Sequence, residues 1–263
     1  MNTKIITDQF SEAAIKNCKT CNTELLGAYC YSCGQRKISH RFKSIDSIKW
    51  VFHQLFNMDH GLFFTTIRLL QNPRKVLLDN ITGATVKYLH PFRFIFIWAT
   101  ISVVISLIFG LNEKTQEMGA IQSDIRNEEF GKEIQEFIMN YLTIITVGMV
   151  PFFAFYSKLF FRKYKLNYAE YLIINSYSYG VTIAIGILTF FLWLIPDFFQ
   201  WSIFISAVLT IGIFFWIYHH FFGGNFFISL VKSLLVYLIS YFTIMLIGGL
   251  VAGAFAIVNT ISF

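Results

Sequence analysis

Five stretches of the chain are continuously apolar, and a long polar segment precedes them. They cover residues 91–111, 137–161, 171–195, 198–222 and 228–258. Each supplies the ~20 residues that a helix needs to cross the hydrocarbon core of a bilayer. Inside lipid every peptide group must be bonded within the chain, which leaves helices and closed barrels. A barrel strand alternates apolar and polar positions, and these runs do not alternate, so they predict helices. The third and fourth runs are parted only by Pro196 and Asp197, which predicts a tight hairpin. One continuous helix through both would overrun the bilayer.

Upstream of residue 91 the pattern changes. Ile45, Ile48, Val51, Phe52, Leu55 and Phe56 recur at spacings of three and four, which predicts an amphipathic helix over 44–58 with Ser44 as its N-cap. A second helix is expected from about His60 to Leu70, ending at Asn72–Pro73, and a third from Pro73 to near Gly83. Lys43, Lys49, Arg68, Arg74, Lys75 and Lys87 accompany these pieces. Such helices suit the membrane surface or the underside of a bundle, where anionic lipid headgroups would meet the basic side chains.

Composition supports lipid as the solvent. Hydrophobic residues make up 56% of the 263 and charged residues 14%, against roughly 25% charged in an ordinary globular chain. Phe alone occurs 31 times. Too few polar groups remain to cover an aqueous surface, which argues against a soluble fold. The first ten residues lack the basic start and short apolar run of a secretory signal, so the N-terminus is expected to be retained.

Loop charge sets an orientation. The segment before residue 94 holds 13 of the 21 Lys and Arg. The loop 112–136 carries three basic and seven acidic residues, whereas Lys158, Arg162, Lys163 and Lys165 make the next connection basic. The Pro196–Asp197 turn has no Lys or Arg, and Lys232 lies just beyond the fourth connection. The expectation is an inner-membrane protein with a cytoplasmic N-terminus, an odd number of spans and a periplasmic C-terminus.

All four cysteines lie within sixteen residues, as Cys18-x-x-Cys21 and Cys30-x-x-Cys33. A C-x-x-C turn aims both thiolates at one point, and two such turns supply the sulfur tetrahedron of structural zinc. The ion would close a loop that has almost no apolar core, with Gly27 and Gly34 at the turns and the eight-residue gap folding as a small hairpin. Two disulfides would require an oxidising compartment, contrary to the expected topology. An iron–sulfur cluster also uses four cysteines, but nothing nearby suggests electron transfer. Four sulfurs leave no open coordination position, so the zinc would be structural.

The chain thus divides into a zinc-ribbon-like arm (1–40), amphipathic juxtamembrane helices (41–90) and a transmembrane domain (91–263). The expected class is an all-α membrane protein, a bundle of about five transmembrane helices. With the arm read, the chain resembles DUF3667, a bacterial family of unknown function. The resemblance rests on Cys18-Lys19-Thr20-Cys21, on Gly27 to Arg36 with its Cys33-Gly34-Gln35 ending, on Asp59-His60-Gly61-Leu62 with Thr65 and Thr66, on Asn72-Pro73, and on Tyr88-Leu89-His90-Pro91-Phe92. It implies a membrane protein with a zinc-ribbon-like arm and supplies no activity. The architecture is also similar to that of Yip-type five-span membrane proteins.

Other candidates read as structure. His53, Asp59 and His60 lack a recognised ligand spacing, and Asp59 suits a helix cap. His219 and His220 suit the interface, and Lys232 can extend to headgroups. No Asp or Glu sits at mid-depth in any of the five runs, where coupled carriers place theirs. The run Asn175-Ser176-Tyr177-Ser178-Tyr179-Gly180 could line a polar pocket, though helix–helix hydrogen bonding explains it better. No phosphate loop, nucleophile elbow or zinc-protease motif is present. The leading expectation is a scaffold or adaptor whose zinc arm engages a cytoplasmic or membrane protein. The alternative is a transporter or channel with the arm as regulator; enzyme chemistry has no visible machinery, and nucleic acid is not an expected partner. Reporter fusions at the two ends should read opposite faces of the membrane; the same face for both would overturn the topology.

Overall fold

The computed structural model describes residues 17–35, 37, 61–110, 145–194 and 199–261. The helix expected over 44–58, the residues His53, Asp59 and His60, the loop 112–136 and the Pro196–Asp197 turn lie outside them. Among the described residues there is no β-strand; Asn17 and Glu24 form an isolated bridge. Helices run over Leu62–Gln71 (α1), Pro73–Ile81 (α2), Pro91–Ile108 (α3), Val150–Phe160 (α4), Tyr168–Phe190 (α5), Phe199–Phe222 (α6) and Phe226–Ile261 (α7).

Among the described residues, four helices are long and apolar enough to cross a membrane: Pro91–Ile108, Tyr168–Phe190, Phe204–Phe222 within α6, and Phe226–Gly248 within α7. They coincide with the first, third, fourth and fifth apolar runs. The second run appears as the shorter apolar helix Ile145–Phe160, and its earlier part lies outside the described residues. That helix is interrupted at Met149, two residues before Pro151. Proline has no amide to continue the ladder, so the sequence itself breaks this helix.

Side-chain pairs fix the directions. Phe161 meets Tyr171, Ser157 meets Asn175, and Met149 meets Tyr179, so α4 and α5 run antiparallel. Phe94 contacts Tyr177 near the start of α3, and Phe109 contacts Phe191 beyond its end. α3 and α5 are therefore parallel. Gly223 and Gly224, at φ 63° and 102°, turn α6 into α7, and Asn225 caps the new helix by accepting from the Phe227 amide at 3.0 Å. Only glycine adopts both left-handed positions without strain.

Before α3, the chain makes the two short helices expected from its pattern. Asn72 accepts from the Lys75 amide at 3.1 Å, and Pro73 starts α2. Both helices pack on α5, and α2 also packs on α6. Thr65 accepts from the Leu89 amide at 3.0 Å, and Thr66 accepts from the Trp98 indole at 3.1 Å. The two threonines thus pin the entry to α3 onto α1.

α5 approaches α3 closely at Gly180. A Cβ there would lie 2.7 Å from two ring carbons of Phe94 and 3.4 Å from the Ile95 Cα. Phe94 is fully buried against Tyr177 and has nowhere to move. Gly180→Ala should lower stability in detergent by about 1–3 kcal/mol through overpacking. Gly186→Ala, whose Cβ meets nothing within 4 Å, is the control and should leave the unfolding midpoint unchanged or raised. Equal behaviour of the two variants would contradict the α3–α5 contact.

Candidate metal centre and its dock on the membrane domain

The cysteine segment folds as two equivalent turns. The Asn22 amide donates to the Cys18 carbonyl at 2.8 Å, and the Gly34 amide donates to the Cys30 carbonyl at 2.9 Å. The Cys18 amide donates to the Thr23 carbonyl at 2.7 Å, and the Cys30 amide to that of Gln35 at 2.8 Å. The residue after each second cysteine is left-handed: Asn22 at φ 62°, Gly34 at φ 72°. Asn and Gly tolerate that conformation best, which explains their presence at matching positions. Gly27, expected at a turn, does not take a positive φ. The Asn17–Glu24 bridge closes across the first turn, not across the 22–29 gap where a hairpin is expected.

The two turns bring all four sulfurs within 4.8 Å of one another. The Cys18 and Cys33 sulfurs are 3.5 Å apart, as are those of Cys21 and Cys30. A tetrahedral ion with metal–sulfur bonds near 2.3 Å needs sulfur–sulfur edges of roughly 3.8 Å. The four cysteines are free thiols, and their spacing fits a metal ion. Cys18 and Cys30 are buried, whereas Cys21 is exposed. Hydrogen bonding from Thr23 holds the Cys21 thiol down at about 6. Desolvation pushes Cys33 up to about 12.

This knuckle is fastened to the membrane domain by Gln35, which is only 3% exposed. Its side-chain amide donates to the Gly83 carbonyl at 2.8 Å, and its side-chain oxygen accepts from the Val86 amide at 3.0 Å. The same oxygen accepts from Thr20 of the first turn at 3.1 Å. A side-chain carboxamide here plays the part of a peptide group paired with the 82–86 loop. Lys19 adds a second tie, donating to the Thr82 carbonyl at 2.7 Å. The loop leads through Tyr88 and Leu89 directly into α3. His90, the last residue before α3, is buried, and desolvation holds its imidazole down at about 3.

The polar run of α5 is spent on helix contacts. Asn175 donates to the Tyr171 carbonyl at 2.8 Å and to Ser157 of α4 at 3.2 Å, and accepts from the Tyr218 hydroxyl of α6 at 2.6 Å. Ser157 also bonds Tyr218. Tyr177 donates to the Leu89 carbonyl at 2.6 Å, while Ser176 and Ser178 bond back to their own helix. Asn175, Ser176, Tyr177 and Ser178 are all fully buried. Glu170 is likewise structural: with Asn167 it forms the capping box that starts α5. Lys232 donates to the Phe160 carbonyl at the end of α4, at 3.0 Å. His219 packs between Phe215 and Phe226, and His220 lies against Trp216.

Taken together, these features define a helical protein with the apolar helices of a membrane protein and a four-cysteine cluster seated at one end. Residues 59–103 match the family model of DUF3667, a protein family of unknown function. The matched segment contains α1, α2, the 82–86 loop and most of α3, and it bears out the resemblance read from the motifs. No curated protein and no solved structure matches the chain.

Proposed function

We propose that this chain is a scaffold or adaptor of the bacterial inner membrane. Its zinc-stapled knuckle presents a protein-binding surface at the cytoplasmic face. The observation that carries this reading is what the docked knuckle leaves outside: Leu26 is 83% exposed, Tyr31 72% and Tyr29 62%. Large apolar and aromatic side chains held on a fixed frame are what a protein partner buries at low entropic cost. The frame is fixed because Gln35 and Lys19 tie it to the 82–86 loop.

Zinc is the ion that best suits four thiolates at these separations. It would be held by Cys18, Cys21, Cys30 and Cys33 with no open position, and its contribution would be to close the two turns. Five passes are supported by direction. α3 and α5 are parallel neighbours, so the chain must return between them, and the antiparallel Ile145–Phe160 helix is that return. Charge supports the orientation. Lys158, Arg162, Lys163 and Lys165 cluster where α4 ends and α5 begins. That is the end at which Tyr164 meets Phe222 and Lys232 meets Phe160. A basic end of this kind faces the cytoplasm and anionic headgroups.

Metal analysis of the full chain purified under reducing conditions should give about one zinc per chain, as a single four-sulfur site requires, and Cys18→Ser should lose it. Cross-linking in native membranes should recover a protein partner with the wild-type chain and not with Leu26→Ser/Tyr31→Ser, while both insert equally. Recovery of the same partners by both chains would sink the adaptor reading.

A further inference from the structure

The strongest unexplained feature is that the knuckle grips its own chain. Gln35 lies two residues after Cys33, and its backbone carbonyl closes the second turn by accepting from the Cys30 amide. Its side chain reaches 48 residues along the chain to Gly83 and 51 residues to Val86. One residue therefore belongs both to the cysteine turn and to the loop that delivers the chain into α3. The loop has further anchors. Gly83 is left-handed at φ 99°, the Ala84 amide donates to the Asp79 carbonyl at 2.7 Å, and Tyr88 donates to Asp79 at 3.3 Å. Three residues past Val86, Leu89 is held from both sides, by Thr65 at its amide and Tyr177 at its carbonyl.

We propose that Gln35 is a clamp linking the ligand state of the four cysteines to the entry of the first membrane helix, so that loss of the metal releases the 82–86 loop. This rests on the metal reading of the cysteines. The physical chain is short. The turn Cys30–Gln35 is a single hydrogen-bonded loop without an apolar core, and only ligation keeps Cys30 and Cys33 facing inward. Without it the turn opens, and Gln35 loses the orientation that pairs both ends of its carboxamide with Gly83 and Val86. A metal- or thiol-responsive event in the arm thereby acts on the membrane domain with no diffusing signal. Gln35 is a positioning residue, since it touches no ion.

Amide hydrogen exchange on the full-length chain in lipid nanodiscs tests this. The Val86 amide reads the clamp, and the Leu89 amide, bonded to Thr65, reads the integrity of the fold around it. Stripping the metal with a zinc chelator should speed Val86 exchange by about tenfold, the scale of one lost hydrogen bond, and leave Leu89 unchanged. Gln35→Ala should speed Val86 equally while the metal stays bound, and chelation should add nothing further in that variant. Gln35→Glu, which keeps an acceptor for Val86 but lacks the donor for Gly83, should fall between. Metal bound and then removed with Val86 unmoved would overturn the coupling and leave the metal site standing. A chain that never holds metal, yet protects Val86 until Gln35 is replaced, would overturn the metal dependence and leave only a static dock.

Discussion

A peptide carbonyl that enters lipid without a donor costs several kcal/mol, and every helix leaves its last four carbonyls without partners in its own ladder. This constraint organises one end of the molecule. Lys232 of α7 donates to Phe160, Tyr171 of α5 to Phe161, and Tyr164 to Phe222. In each case a side chain from one element answers the exposed backbone of another, so the hydrogen bonds that satisfy the helix ends also hold the helices together. Tyr177 does the same for Leu89, just before α3 begins. The knuckle extends this scheme outward: Gln35 answers Gly83 and Lys19 answers Thr82, the loop carbonyls that neither α2 nor α3 can reach.

The tyrosines suit this task because each combines a ring that packs in the apolar core with a hydroxyl that reaches a carbonyl. Tyr171, Tyr177 and Tyr218 are fully buried, and each hydroxyl has a partner. Asn175 does the same work at the centre of the bundle, joining α4, α5 and α6 through Ser157 and Tyr218. A polar stripe on a membrane helix is therefore not by itself a path for solutes. Here its donors and acceptors are matched within the protein.

What was legible in the sequence follows from the range of the interactions. Continuous apolar runs placed the long helices, because lipid imposes its demand on every residue of a span. The break at Asn72–Pro73, the turn at Gly223–Gly224 and the convergence of the four cysteines are local, set within a few residues. Of the second run only the part from Ile145 on is described, and its break at Met149 reflects the missing amide of Pro151. The roles of Gln35, Lys232, Glu170 and Asn175 were not legible as contacts. Gln35 stood out only as part of a motif, and nothing near it indicates that its partners lie some fifty residues away. Lys232 looked free to reach water because its spacing from Phe160 is invisible until α4 and α7 pack. The Asn167-x-x-Glu170 spacing was the one available signal that went unused, since a capping box can be read from four residues.

The knuckle shows why its dock matters energetically. Among its described residues only Cys18, Cys30 and Gln35 are buried, while Leu26, Tyr29 and Tyr31 point away. A segment this short cannot offset its conformational entropy with so little burial, so its order depends on the helices it docks against and, in the proposed reading, on ligation. The 82–86 loop is in the converse position: its Val86 amide and its Gly83 and Thr82 carbonyls are answered by residues of the knuckle. Dependence of this kind is reciprocal, because a free energy that couples two sites acts equally in both directions. Under the proposed clamp, whatever stabilises the cysteine turn stabilises the approach to α3, and whatever displaces that approach loosens the cysteine turn by the same amount. The arm is therefore better regarded as the outer edge of the membrane domain than as a tethered module.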